Sequence, residues 1–171
     1  GILSEKYVIL SNSNKNFKFT YKKTDKKKFE YLNIMKPTST NNIIEYPIDS
    51  INYLKYISQK INKYDGSILM FDYGYTKNKN KNTLQSVFKH KYNNIFSEIG
   101  NSDITSHINF LLFKKILSKN NLEVKRIINQ NEFLLKMGIL ERANILSKNM
   151  TFIKKANMYY RLKKLLNENE M

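Results

Sequence analysis

Cysteine is absent from this chain of 171 residues, so neither a disulfide framework nor a thiolate metal site is available to it. Glycine is scarce, with five residues in all, and they assemble no glycine-rich phosphate loop. The patterns G-x-S-x-G and H-E-x-x-H are missing, which removes a nucleophile elbow and a zincin site. No RNP-type aromatic motif accompanies the many lysines. Long apolar runs are lacking too: the stretch Ile68 to Phe71 falls far short of the roughly 20 residues a bilayer helix needs. Acids are few, 14 against 30 lysines and arginines, which leaves a formal charge of +16.

That charge invites a nucleic-acid reading, because cations neutralise phosphates and release counterions. Its make-up argues the other way. All but three of the 30 cationic side chains are lysine, the exceptions being Arg126, Arg142 and Arg161, and asparagine recurs, as in Asn41-Asn42 and Asn120-Asn121. Excess Lys and Asn with little Arg and Gly is the imprint of an AT-rich genome, whereas sequence-reading sites favour the bidentate Arg fork. Nucleic acid is therefore the weaker reading of the charge. A hydrophobic share of 41% still builds a core, and the length fits one domain or a substantial piece of one.

Residues 1 to 35 read as short strands: Tyr7 to Leu10 is a compact apolar run, and Phe17, Phe19 and Tyr21 alternate with polar residues. The charged stretch Lys22 to Lys28 then serves as a solvated hairpin connection, and Pro37 to Asn42 as a loop. Ile43 to Pro47 is brief and extended. Asp49 or Ser50 can cap a helix to about Lys63, with Ile51, Leu54, Ile57, Ile61 and Tyr64 on one face and Asp65-Gly66 ending it. Ser67 to Asp72 is the most strand-like segment, a continuous apolar run suited to a strand buried on both faces of a parallel sheet. A polar loop follows, with a low-complexity tract from Lys77 to Asn82, and then an amphipathic stretch to Phe96 and a turn at Gly100. A second helix is expected from Thr105, a strand over Val124 to Ile128, a helix over 131–148 bent at Gly138, and a Lys-rich helix over about 151–167. Alternating helices and strands predict an α/β fold with helices covering a partly parallel sheet.

In such sheets ligands bind beyond the carboxyl ends of the strands, which puts Asp72 at a pocket rim, followed by Tyr73 and Gly74. The plainer alternative is that Asp72 only caps a turn. His90 and His107 are the only histidines, and without spaced carboxylate or thiol partners they give no metal site. His107 reads more simply as a helix-start residue, with Asp103-Ile104-Thr105 supplying capping oxygens.

Four segments in order carry a resemblance. Gly66 to Tyr75, ending in Asp72-Tyr73-Gly74-Tyr75, resembles the "GG-apolar-DYGY" strand of the MidA-like methyltransferases. Thr83-Leu84-Gln85 with His90 is similar to that family's "TLra…H" segment. Gly100 followed by Asp103 to Phe110 is similar to "G-x-x-D-I-T-x-H-V-D-F", with Asn109 in place of the second Asp. Gln130, Phe133-Leu134, Gly138-Ile139 and Arg142 match "Q…FL…lGI…R". The match covers residues 66–146; Glu5 to Val8 and Glu45-Tyr46-Pro47 correspond more faintly to "ER-x-V" and "E-x-P".

The resemblance implies a Rossmann-like class I methyltransferase fold with added helices at the carboxyl terminus. It implies S-adenosyl-L-methionine as cofactor and protein arginine methylation of a respiratory NADH dehydrogenase subunit, in a bacterial cytoplasm or mitochondrial matrix. It makes Asp72, Tyr73, Asp103 and, more weakly, His107 the candidates for lining the catalytic site, with the cofactor-binding residues left unassigned. The family's Gly-rich loop and "NEFFDALP" segment are not found here. Residues 1–171 are thus expected to be one carboxyl-terminal part of such a domain, consistent with Gly in place of Met at position 1. A basic nucleic-acid-binding domain and a non-catalytic remnant that binds a partner through its helical end are the alternatives.

Overall fold

The computed structural model describes residues 2–11, 16–35, 43–77 and 82–167. It shows a mixed α/β chain in two units, Gly1–Val124 and Lys125–Met171. The loop expected over Pro37 to Asn42 and most of the Lys77 to Asn82 tract lie outside the described residues.

The first unit opens with an antiparallel hairpin, β1 (Ser4–Leu10) and β2 (Phe17–Lys23), in register from Ser4 opposite Lys23 to Leu10 opposite Phe17. The alternating Phe17 and Phe19 put their rings on Phe96, at 6.3 and 4.7 Å between centroids. The hairpin connection therefore lies between Leu10 and Phe17 and not at Lys22 to Lys28. There, Asp25 accepts from the Lys27 N–H at 2.9 Å and caps a 3-10 turn, Lys26–Lys28, since the Asp side chain offers the backbone a local partner.

The core of this unit is two helices. α1 (Leu32–Met35) leads towards them, α2 (Ile48–Tyr64) presents Ile51, Leu54 and Ser58, and α3 (Phe110–Lys119) presents Leu112, Phe113, Ile116 and Leu117. Tyr31 and Met35 complete the cluster, with Tyr46 and Val124 against it. The periodicity places α2 correctly, although Tyr64 is exposed. Its first turn follows Pro47, with no side-chain cap, so Asp49 acts through the helix dipole instead. Val124 to Ile128 forms no strand: no described residue pairs with it, and Val124 packs on the helical core.

In place of one partly parallel sheet, the described residues form three small sheets, of which one is a short parallel pair. β3 (Gly74–Tyr75) pairs in parallel with β7 (Ile108–Asn109), while β5 (Lys91–Asn93), β4 (Gln85–Phe88) and β6 (Asp103–Thr105) form an antiparallel sheet in that order. The β4–β5 turn is two residues, Lys89 and His90, both at positive φ as tight hairpin twist requires. Asp103 to Thr105 is thereby a strand and not a helix start; α3 begins five residues later, where the Asn109 side chain accepts from the Leu112 N–H at 3.0 Å. The largest departure is Ser67 to Asp72, which belongs to none of the sheets and leaves Leu69 71% and Phe71 65% exposed. A run apolar on both faces needs a strand on each side and a helix layer above and below. No described residue supplies them.

Among the described residues the second unit holds three helices, α4 (Gln130–Lys136), α5 (Ile139–Ser147) and α6 (Phe152–Leu166). Asn129 caps α4 by accepting from the Glu132 N–H at 2.8 Å. The bend expected at Gly138 is a full break: its φ of 76° lies in the left-handed region, which glycine enters without strain. Gln130 and Asn131 donate side-chain hydrogen bonds to the Leu165 and Leu166 carbonyls, at 3.0 and 2.6 Å, satisfying orphan acceptors at the end of α6. Glu132 pairs with both Arg126 and Lys136. Among the described residues no helix is long and apolar enough to cross a membrane, and no group of three or more His, Asp or Glu could hold a metal.

Candidate functional site

Three loops and the β3–β7 pair meet around one carboxylate. Glu45 accepts from the Thr83 backbone N–H and the Thr83 hydroxyl, each at 2.6 Å, and from the Leu84 N–H at 3.1 Å. The Thr83 oxygen in turn accepts from the His107 backbone N–H at 2.9 Å. A single threonine hydroxyl thus links the segment at 45 to the one at 107, donating to one and accepting from the other. Charge-assisted bonds of this kind are roughly twice as strong as neutral ones.

The parallel pair lies beside this link. Gly74 stands opposite Ile108 and Tyr75 opposite Asn109, and the Ile108 N–H donates to the Tyr73 carbonyl at 2.9 Å. Glycine is required at 74, because a Cβ there would fall 2.3 Å from the Ile108 carbonyl oxygen and 2.6 Å from the Phe110 ring. Tyr75 is buried and bonded to Asn109. Burial pushes its phenol pKa up, the Glu45 charge pushes it further, and the Asn109 bond pulls partly against them, so the hydroxyl stays protonated. Asn109 caps α3 with its oxygen and bonds Tyr75 as well, which a neutral amide does without burying a charge.

Three of the four residues singled out by sequence, Asp72, Tyr73 and His107, sit at the exposed margin of this junction. Asp72 is exposed and accepts from the Tyr73 N–H at 2.7 Å, the turn-capping role. The Tyr73 ring is exposed, and its carbonyl holds β7. The His107 ring is exposed while its backbone serves Thr83. Asp72, Tyr73 and His107 are therefore brought together through the backbone pairing. Asp103 is exposed on β6 opposite Val87, and among the described residues no hydrogen bond or ion pair joins it to the other three. Glu45, Tyr75 and Asn109 were not predicted as site residues; the available signal was that each falls inside a segment shared with the MidA-like pattern. The geometry can hold loops at a rim and offers the exposed Asp72 carboxylate to solvent, but among the described residues it contains no nucleophile–base pair.

A family model of S-adenosyl-L-methionine-dependent methyltransferases matches residues 1–128. Over 90 residues the chain is 29% identical to a Xenopus tropicalis protein named protein arginine methyltransferase NDUFAF7, mitochondrial; that stretch is 53% of this chain and 20% of the frog protein. The chain thus spans about a fifth of the length of this relative.

Proposed function

This chain belongs to the S-adenosyl-L-methionine-dependent methyltransferases, and from that premise we propose that it is the carboxyl-terminal part of a protein arginine methyltransferase. The observation that carries the reading is the meeting of Glu45, Asp72 to Tyr75, Thr83 and His107 to Asn109, four of the segments in which the family resemblance resides. Arginine as the methylated group is supported by the name of the frog relative. The MidA-like resemblance extends this to a subunit of respiratory NADH dehydrogenase, in a bacterial cytoplasm or a mitochondrial matrix.

The family implies S-adenosyl-L-methionine, whose carboxylate and ribose are ordinarily held at a glycine turn between a strand and a helix amino terminus. The described residues do not fit that cradle. Gly74 faces filled space, and α5, the described helix that directly follows a glycine, has no strand before it in its unit. We therefore assign cofactor binding to sequence beyond these 171 residues and read the Rossmann-like sheet as completed there. Asp72, Tyr73, Asp103 and His107 remain the side chains assigned to the substrate side, where exposed carboxylates can meet a guanidinium.

Calorimetric titration of S-adenosylhomocysteine tests this, using the chain itself and a version extended at its amino terminus by the sequence its gene encodes. Binding to the extended version alone is expected. Binding to the short chain would overturn the division of labour, and no binding to either would overturn the enzyme reading.

A further inference from the structure

The second unit carries a feature beyond the stretch that the family model matches, residues 1–128, although Ile139 and Arg142 in it also belong to the MidA-like pattern. Between α5 and α6 runs an open groove of about 520 Å³. Its floor is aliphatic: Ile139, Ala143 and Leu146 on α5, and Met158, Leu162 and Leu165 on α6. Both sets fall at i, i+4 and i+7, so each helix turns one stripe to the trough, as for a third helix laid alongside them. Ala143 and Leu162 are buried, whereas Leu146 and Leu165 are 44% and 48% exposed. α4, the remaining helix of the unit, contributes no residue to the lining.

Charge selects the occupant. Arg142, Lys154 and Arg161 line the groove, and no described Asp or Glu does. The chain has three arginines against 27 lysines (30 less 3), so a bias towards Lys operates nearly everywhere. Arg126 is engaged by Glu132 within the fold, but the other two both stand at this groove, where among the described residues neither forms an ion pair. Arginine kept where lysine would supply the same charge marks a need for the planar fork that grips a carboxylate bidentately.

We propose that the α5–α6 groove docks an acidic amphipathic helix of a partner polypeptide, its aliphatic anchors seated between Leu146 and Leu165 and its carboxylates on Arg142 and Arg161. This does not rest on the methyltransferase reading. The test is selection from a displayed library of amphipathic peptides of about 15 residues, long enough to fold on the surface, against the full chain. Enriched peptides should carry Leu, Met or Phe at helical spacing, flanked by Glu or Asp. By fluorescence anisotropy, the best of them should bind Arg142→Glu/Arg161→Glu at least about tenfold more weakly, a loss of about 1.4 kcal/mol. Arg142→Lys/Arg161→Lys should fall between, because it keeps charge and loses the fork. Both sites are exposed, so circular dichroism should show the variants folded. Selection of neutral or basic peptides, failure to select any, or equal binding by the Glu variant would overturn the proposal. So would a dimer of the chain that the Glu variant dissociates, which gives the groove to a second copy, or displacement of the peptide by RNA.

Discussion

Gly74 has no room for a methyl group. In Gly74→Ala the new carbon would meet a backbone carbonyl and a ring together, and the carbonyl belongs to the ladder that joins β3 to β7. Overpacking against such fixed atoms costs about 3 kcal/mol, so the variant should show that loss in urea unfolding, with an unchanged midpoint arguing against the close approach. Thr83 offers a subtler case. Valine has its shape without the hydroxyl, leaving one Glu45 oxygen and the His107 N–H each a partner short. We expect Thr83→Val to cost about 1–3 kcal/mol and Thr83→Ser to recover most of it; a Val variant as stable as the parent would show that the hydroxyl links nothing. These residues explain what the sequence could and could not disclose about the site. Asp72 stood out because an acid after an apolar run is conspicuous, yet its carboxylate serves its own turn. Glu45 and Thr83 are 38 positions apart and neither is unusual locally. Their partnership exists only in three dimensions.

At the scale of elements, Glu30 holds the two core helices at their outer side, bonding Lys55 of α2 at 2.5 Å and Lys119 of α3 at 3.0 Å. The Lys55 bond, then the Lys119 bond, lower its carboxyl pKa from 4.5 to about 2. A depressed folded-state pKa means that the contribution is complete above about pH 4.5 and lost as pH falls towards 2. The groups are substantially exposed, so screening limits the clasp to about 1 kcal/mol or less at low salt. Glu30→Gln should therefore lower the melting temperature slightly at pH 7 and flatten the stability slope between pH 4.5 and 2. A slope unchanged by the substitution would assign the acid sensitivity to other carboxylates. Elements of this kind were legible where their cause is local. α2 follows from helical spacing, β2 from strict alternation, and the break at Gly138 from the one residue that takes φ of 76° freely. Asp103 to Thr105 misled because its oxygens suit a cap, while pairing with Gln85 to Val87 makes it a strand. Pairing is a property of the partner, and the sequence around residue 103 does not contain it.

At the scale of the whole molecule, residues 67–72 stand apart from every described sheet. Their apolar run is suited to the centre of a parallel sheet, yet Leu69 and Phe71 face solvent. Full burial of such side chains contributes about 1.5–3 kcal/mol each, which a folded protein seldom forgoes on two neighbouring positions. If the sheet is completed by sequence beyond this chain, the ribbon gains a ladder on each side and its amides leave solvent together. Hydrogen exchange followed by mass spectrometry then has a definite outcome. In the 171-residue chain, peptides spanning 67–72 should exchange nearly as fast as an open segment, while those in α3 are protected. In the amino-terminally extended protein the same peptides should slow by several orders of magnitude, towards the global unfolding limit, while α5 and α6 remain as they were. Equal exchange of the ribbon in the two proteins, fast or slow, would mean that its exposure is its finished state, and the incomplete-sheet reading would have to be abandoned.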